Sequence, residues 1–408
     1  MTIKRIVFIG DLLRNYHGTD FFSDRGVSWE YYLFKEQIYT ATGLMPELIL
    51  AKDNSFFDRN KFYNLCGHAQ PSFNAWLEIV SGKYTPEALD YFNVCFKDCF
   101  IITQVAGAFK PLMDKLNIPY MDIYVSAIKF MDDLRLAFRT NNKEIRKKIT
   151  SYRIDENEMF YEAGRMQAYY TARNISTSIV VSQNSLLLCG QTDIDLSLVR
   201  EGKIVGFLDF KEKIEKLFSS YDKIYYKAHP YAKKNNPNEI FIRSFENIEF
   251  IDKNFYQLMS LPNIKAVAAL SSGTLKEARY FRKETHAISH EFVNYYNGKG
   301  EINTDDFIIV NSQYFSPSFW SDVFSPLLKT HKCSCFKFTD NRNLLRSSLN
   351  TWWGYEIEIE KNNSVEFGKT IGNFEEKLKK SSFSYKFKKI FSCFLPSKKL
   401  RRKIRGDM

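Results

Sequence analysis

Short apolar runs alternate with amphipathic stretches along the first 125 residues. RIVFIG (5–10) has the unbroken apolar character of a buried strand. GVSWEYYLFKEQIYTATG (26–43) spaces its apolar residues as a helix does and ends on glycine. MPELIL (45–50), CFIITQV (99–105) and IPYMDIYV (118–125) read as further strands; FNAWLEIVSG (73–82), PEALDYFNVCF (86–96) and AFKPLMDKLN (108–117) read as helices between them. Residues 130–176 are polar, rich in Arg and Lys, and read as helices leading out of a first domain. A second series follows. TSIVVSQ (177–183) with SLLLCGQ (185–191), KIYYKAH (223–229), IEFID (248–252) and THAIS (285–289) supply strands; FKEKIEKLF (210–218) and NFYQLMSLP (254–262) supply helices. IKAVAALSSGTLKEARYFRK (264–283) is strand, tight turn and helix in one line. Two such βαβ series predict an α/β protein with two Rossmann-like halves facing a cleft. Neither half carries GxGxxG, and no GxxxxGK[ST] is present, which argues against a P-loop enzyme.

Composition narrows the class. With 408 residues and 44% apolar content the chain can bury the cores of two domains. The N-terminus, MTIKRIVFIGDLLRN, lacks the long apolar core of a signal peptide, and no run approaches the roughly 20 apolar residues of a membrane span. A cytoplasmic protein is expected. Seven cysteines (Cys66, Cys95, Cys99, Cys189, Cys333, Cys335, Cys393) are spread too widely for a disulfide framework, and the CSC at 333–335 lacks the second pair of a zinc site. Neither a metal nor a cofactor is expected. Of 58 Lys plus Arg and 47 Asp plus Glu, 12 bases and one acid lie in 377–408, so the rest of the chain is neutral. A nucleic-acid-binding body is therefore excluded on charge.

Four stretches carry candidate chemistry. In AVAALSSGTLKEARYF (266–281) a strand ends at Ser271, Ser272, Gly273 and Thr274 and a helix begins at once. Helix-start amides favour a phosphate there. Gly273 permits an unusual backbone angle and close approach, and Glu277, three residues after Thr274, has capping-box spacing. In KAHP (227–230), Pro230 stops a strand just after His229, so Lys227 and His229 stand at a strand's carboxyl end, where ligands of open parallel sheets bind. Together these describe a pocket for a single phosphate. CGQTDIDLSLV (189–199) runs from a strand into the Gly190-Gln191 turn and two aspartates, Asp193 and Asp195, either of which can serve as nucleophile or base. Asp122 lies inside an apolar strand, where an acid is either paired or functional, whereas Asp132 and Asp133 read as a solvated helix face or its start. Each stretch alone also reads as ordinary structure: a capped helix, a loop histidine, a turn aspartate.

The order of Asp122 after IPY, then GQxxxDxS, KxHP and SSGTLKEA, resembles the retaining β-Kdo transferases of bacterial capsule and lipopolysaccharide assembly, over roughly residues 115–285. The resemblance implies a GT-B fold and a CMP-β-Kdo donor, Kdo being 3-deoxy-D-manno-oct-2-ulosonic acid. It implies that His229 and Ser271–Thr274 hold the CMP phosphate, that Gly190, Gln191, Lys227 and Pro230 bind substrate beside them, that Glu277 reaches the ribose, and that Asp195 is the nucleophile of a double displacement, with Asp193 the competing choice. Asp122 stands where that family carries its acid/base carboxylate, a glutamate. Arg135, Arg153, Arg165 and Lys227 are candidates for the sugar carboxylate.

The tail, KLKKSSFSYKFKKIFSCFLPSKKLRRKIR (377–405), interleaves aromatics with bases as a segment attracted to anionic lipid does. The expected layout is an N-terminal domain (1–176), a CMP-sugar-binding domain (177–335), a closing helical segment (336–376) and the basic tail (377–408). The expected partners are CMP-Kdo, a lipid-linked glycan acceptor and the inner face of the bacterial inner membrane, without nucleic acid. A CMP-sialic acid-dependent transferase and a non-catalytic membrane-surface assembly protein are the alternatives.

Overall fold

The computed structural model describes residues 3–14, 20–51, 53, 55–104, 107–177, 179–192, 195–229, 232, 235–334 and 343–353. Pro230, Asp193, Cys335, Cys393, most of the expected closing segment and the whole basic tail lie outside the described residues.

The strands in chain order are β1 (Arg5–Ile9), β2 (Glu47–Ile49), β3 (Cys99–Gln104), β4 (Tyr120–Val125), β5 (Leu136–Thr140), β6 (Ser185–Cys189), β7 (Val199–Arg200), β8 (Lys203–Ile204), β9 (Lys223–Lys227), β10 (Ile248–Phe250), β11 (Ile264–Ala269), β12 (Glu284–Ala287), β13 (Asn294–Tyr295) and β14 (Asp306–Ile309). They build a seven-stranded sheet in the order β13-β14-β5-β4-β3-β1-β2, a five-stranded sheet in the order β10-β9-β6-β11-β12, and a small β7-β8 ribbon. The five-stranded sheet is parallel throughout. In the larger sheet β1 to β4 run parallel, β5 pairs antiparallel with β4, and β14 antiparallel with β5. Continuous apolar runs are what strands covered on both faces require: all but the last residue of β3 and every residue of β6 are buried.

Three sequence expectations change. The polar stretch 130–176 hides β5 before its helices Lys143–Thr150 and Glu156–Thr177, because a five-residue antiparallel strand leaves little periodic signal. TSIVVSQ forms no strand among its described residues. Residues 294–309 return to the first sheet, so the expected unit 177–335 contains strands of both sheets.

One buried cluster draws on both halves: Phe130, Ala137, Phe307 and Ile309 pack with Leu187, Val267, Ala269 and Leu275. The loop after β4 makes this seam. Its ends are tied by Ser126 N–H donating to Arg135 O at 2.8 Å, and Phe130 meets Tyr256, Tyr280 and Phe281 edge-on, with ring centroids 5.4–6.3 Å apart. Asp133 is not solvated. It is 2% exposed and caps helix Leu344–Trp353, accepting from Leu345 N at 2.7 Å and Arg346 N at 2.8 Å. Among the described residues no helix is long and apolar enough to cross a membrane.

Candidate functional site

A cavity of about 490 Å³ lies where the carboxyl ends of the two sheets' strands meet. From the first sheet it receives Asp11 and Arg14 after β1, Gln104 at the end of β3, and Tyr124 and Ala127 at the end of β4. From the second it receives Gln191, Thr192, Asp195 and Ser197 after β6, His229 after β9, and Ser271, Ser272 and Gly273 after β11. Ligand sites of open α/β sheets form at such carboxyl ends.

The motifs of the second half are clipped to one another. Gln191 Nε2 donates to Ser197 Oγ at 3.1 Å and Ser271 Oγ at 3.2 Å, while Gln191 Oε1 accepts from Ser271 N at 2.7 Å. Ser271 Oγ is also 2.8 Å from Ser197 O and 2.9 Å from Ser197 Oγ. Gln191 and Ser271 were expected to bind substrate; they line the cavity but their polar atoms hold two loops together. The result fixes Asp195, whose Oδ1 accepts from Ser197 N at 2.9 Å, on the cavity wall. His229 shares that wall. Burial lowers the proton affinity of its imidazole, Asp195 opposes this, and Lys227 adds to it.

Ser272 and Gly273 bring the start of helix Thr274–Tyr280 to the cavity. Gly273 has an ordinary φ of −58°, so no unusual backbone angle is required there. Close approach is required: a Cβ at Gly273 would stand 2.8 Å from Ala127 Cβ. Thr274 does not line the cavity; its N and Oγ1 bond Ser272 Oγ at 3.3 and 3.0 Å.

Glu277 forms no capping box and does not line the cavity. It is 5% exposed, and its Oε1 accepts from Lys129 N and Tyr256 OH, both at 2.7 Å. Burial pushes its carboxyl up to about 7 against those bonds and against Lys129 and Arg346.

Asp122 also leaves the site. Its side chain is wholly buried in an ion pair with Arg139, whose Nε and Nη2 donate to Oδ2 at 2.9 and 2.6 Å. Strand residues rise about 3.3 Å each, so Asp122 sits well short of the β4 end, where Tyr124 faces the cavity instead. Burial, then Asp195, pushes the Tyr124 phenol up to about 12. Lys227 is buried away from the cavity, and Gly190 packs tightly, its Cβ position lying 2.5 Å from Tyr226 OH. Arg135, Arg153 and Arg165 do not line the cavity either; Arg14 and Lys276 do.

Sequence reading missed Asp11. It is 5% exposed, and its Oδ2 accepts from Trp76 Nε1 at 2.9 Å and its Oδ1 from Leu13 N at 3.2 Å. Burial raises its proton affinity, against the Trp76 bond and Arg14. Gly107 makes room for it: a Cβ there would be 2.6 Å from Oδ2. The signal was present, because Asp11 follows the apolar run RIVFIG as His229 follows KIYYKA.

No known family's sequence profile matches the chain, and no curated protein matches it. Among solved structures, the chain is similar to a β-Kdo 2,7 transferase, KpsC, of Thermosulfurimonas dismutans, at 11% identity over 61% of this chain and 86% of that one, with a TM-score of 0.33. It is similar also to a KpsC β-Kdo 2,4 transferase of the same organism, at 14% identity over 52% and 74%, with a TM-score of 0.28. Likenesses of this degree carry no argument about the site.

Proposed function

We propose that the protein is a glycosyltransferase of GT-B type that moves β-Kdo from CMP-β-Kdo to a glycan acceptor with retention. The observation that carries this reading is the pairing of Asp195 and His229 on one wall of the cavity with buried Asp11 on another. The volume suits a small ligand such as a nucleotide-sugar. Asp195 attacks the anomeric carbon, the bond to the CMP phosphate breaks, and an aspartyl-Kdo ester forms. Charge gathering on the departing phosphate is met by the start of helix Thr274–Tyr280, by Arg14 and by His229, whose imidazole gains proton affinity as the anion grows. Asp11 replaces Asp122 as the base: a carboxyl whose proton affinity burial raises is better matched to taking a proton near neutral pH. It deprotonates the acceptor hydroxyl, which attacks the same carbon and releases Asp195. Two inversions give retention. The Kdo carboxylate falls to Arg14 or Lys276.

Intact-mass spectrometry after incubation with CMP-Kdo tests the scheme. A Kdo adduct on the peptide carrying Asp195, absent in Asp195→Asn while CMP still binds in calorimetry, is the expected result. An adduct on Asp193 moves the nucleophile. Transfer from CMP-sialic acid but not from CMP-Kdo, without an adduct, favours the second reading, a single displacement from a CMP-sialic acid with Asp11 as base. Failure to bind CMP removes both and leaves the non-catalytic assembly role. The basic aromatic tail is proposed to hold the enzyme at anionic lipid beside a lipid-linked acceptor on the inner membrane's cytoplasmic face.

A further inference from the structure

A second cavity, of about 290 Å³, adjoins the first. Lys276 and Glu291 line both, so this pair forms a shared wall. Glu291 is bonded by Lys276 Nζ and by Arg279 Nη2. Beyond the wall stand Arg153, Phe160, Arg279 and Tyr280. Tyr280 is held edge-on against Phe160 and Phe130, with ring centroids 5.1 and 5.9 Å apart. Arg153 is also held: its Nη1 donates to Ile154 O at 2.8 Å, and Gly298, at φ +91°, lies over it so closely that a Cβ would be 2.5 Å from Nη2. Three bases face two acids here, Glu156 and Glu291; Glu291 is already shared between two of the bases, and the third, Arg153, has only the exposed carboxylate of Asp155, 3.9 Å from its Nη2, as an ion-pair partner among the described residues.

We propose that this second cavity binds the acceptor as a saccharide ring bearing a carboxylate. The inference rests on the transferase reading for the word acceptor, but the binding itself does not depend on it. A fixed guanidinium gives a carboxylate two parallel donors, and fixed aromatic rings offer a sugar its apolar face. The volume is below that of the donor cavity and at the lower bound for small-ligand sites. The shared Lys276–Glu291 wall places whatever binds there next to the cavity that holds Asp195 and Asp11.

The test uses the full chain and two probes, the methyl glycoside of glucuronic acid and the methyl ester of that same glycoside, titrated by ligand-observed NMR with and without saturating CMP. A charge-assisted bond is worth about 1.5–3 kcal/mol, roughly tenfold or more in affinity. The acid should therefore bind at least about tenfold tighter than its ester, Arg153→Gln should remove that difference, and CMP should not displace the acid. Arg153 lines the second cavity and not the first, so CMP binding should be unchanged in Arg153→Gln. The proposal is overturned by equal binding of acid and ester, by displacement with CMP, by no binding of the acid, or by an Arg153→Gln protein that melts as wild type yet still prefers the acid. If the acid binds as expected but CMP does not, the saccharide site stands and the transferase reading falls.

Discussion

Replacing Glu277 by glutamine probes the seam between the two halves and has a sign that depends on pH. The carboxyl is buried under the loop after β4, accepting from Lys129 N and Tyr256 OH through one oxygen. Burial raises it from the ordinary 4.5 to about 7. The unfolded chain loses this proton near pH 4.5, whereas the folded chain keeps it until about 7. Below 4.5 both states hold the proton and the group is neutral to stability. As pH climbs from 4.5 to 7 the folded state binds more protons than the unfolded one, so stability falls; above 7 the loss is complete. At 1.36 kcal/mol per unit this amounts to about 3 kcal/mol. The amide carbonyl in Glu277→Gln accepts the same two bonds and never ionises. Lys129, which burial lowers to about 8, stays largely charged up to pH 7 and adds little to the slope. Urea unfolding of wild type and Glu277→Gln, followed by tryptophan fluorescence at pH 5 and pH 7.5, measures the difference. The variant should gain on wild type by about 2–3 kcal/mol between the two pH values. A difference that is the same at both would refute a proton-holding Glu277.

Two further substitutions separate packing from chemistry. Gly273→Ala places a methyl 2.8 Å from Ala127 Cβ and should cost about 1–3 kcal/mol in thermal or urea unfolding; adding Ala127→Gly should restore most of it, and simple additivity of the two would deny the contact. Asp122→Asn leaves Arg139, only 14% exposed, without its counter-charge and should destabilise the fold by about 3–5 kcal/mol, while transfer per folded molecule persists. A fully stable Asp122→Asn protein without transfer would return Asp122 to the chemistry.

Local pattern carried much of this molecule. Apolar runs located β1, β3, β4, β6, β9 and β11 because a strand covered on both faces has no polar alternation to dilute it. The rule that ligands meet strand ends pointed to His229, Ser272 and Asp195, which line the cavity. What sequence could not carry was partner choice. Asp122 looked functional because a buried acid needs a reason, and the reason is Arg139, one strand away on β5. Glu277 had capping-box spacing, but Lys129 N and Tyr256 OH claim its oxygen from 148 and 21 residues away. The return of β13 and β14 to the first sheet is likewise a tertiary pairing, invisible to any local window. Asp11 was legible by the same strand-end rule, because it follows β1 as His229 follows β9.

The motif residues divide between scaffold and chemistry, and the division follows from hydrogen-bond capacity. Gln191, Ser197 and Ser271 satisfy one another, so the loops after β6 and β11 form one unit carrying both Asp195 and the start of helix Thr274–Tyr280. In the proposed scheme the nucleophile and the phosphate site are thereby held on one unit, which fixes their spacing. Asp11 and Arg14 come from the first sheet, and their distance from that unit is set where the two meet: Ala127 abuts Gly273, Lys129 N bonds Glu277, and Leu196 and Val199 pack against the cluster that holds Leu12, Leu13 and Trp76. In the proposed scheme the base that must reach an acceptor hydroxyl is the member of the set that the first sheet carries. In that scheme the buried carboxylate after β1, and not a second acid on the Asp195 loop, is the group that meets the acceptor.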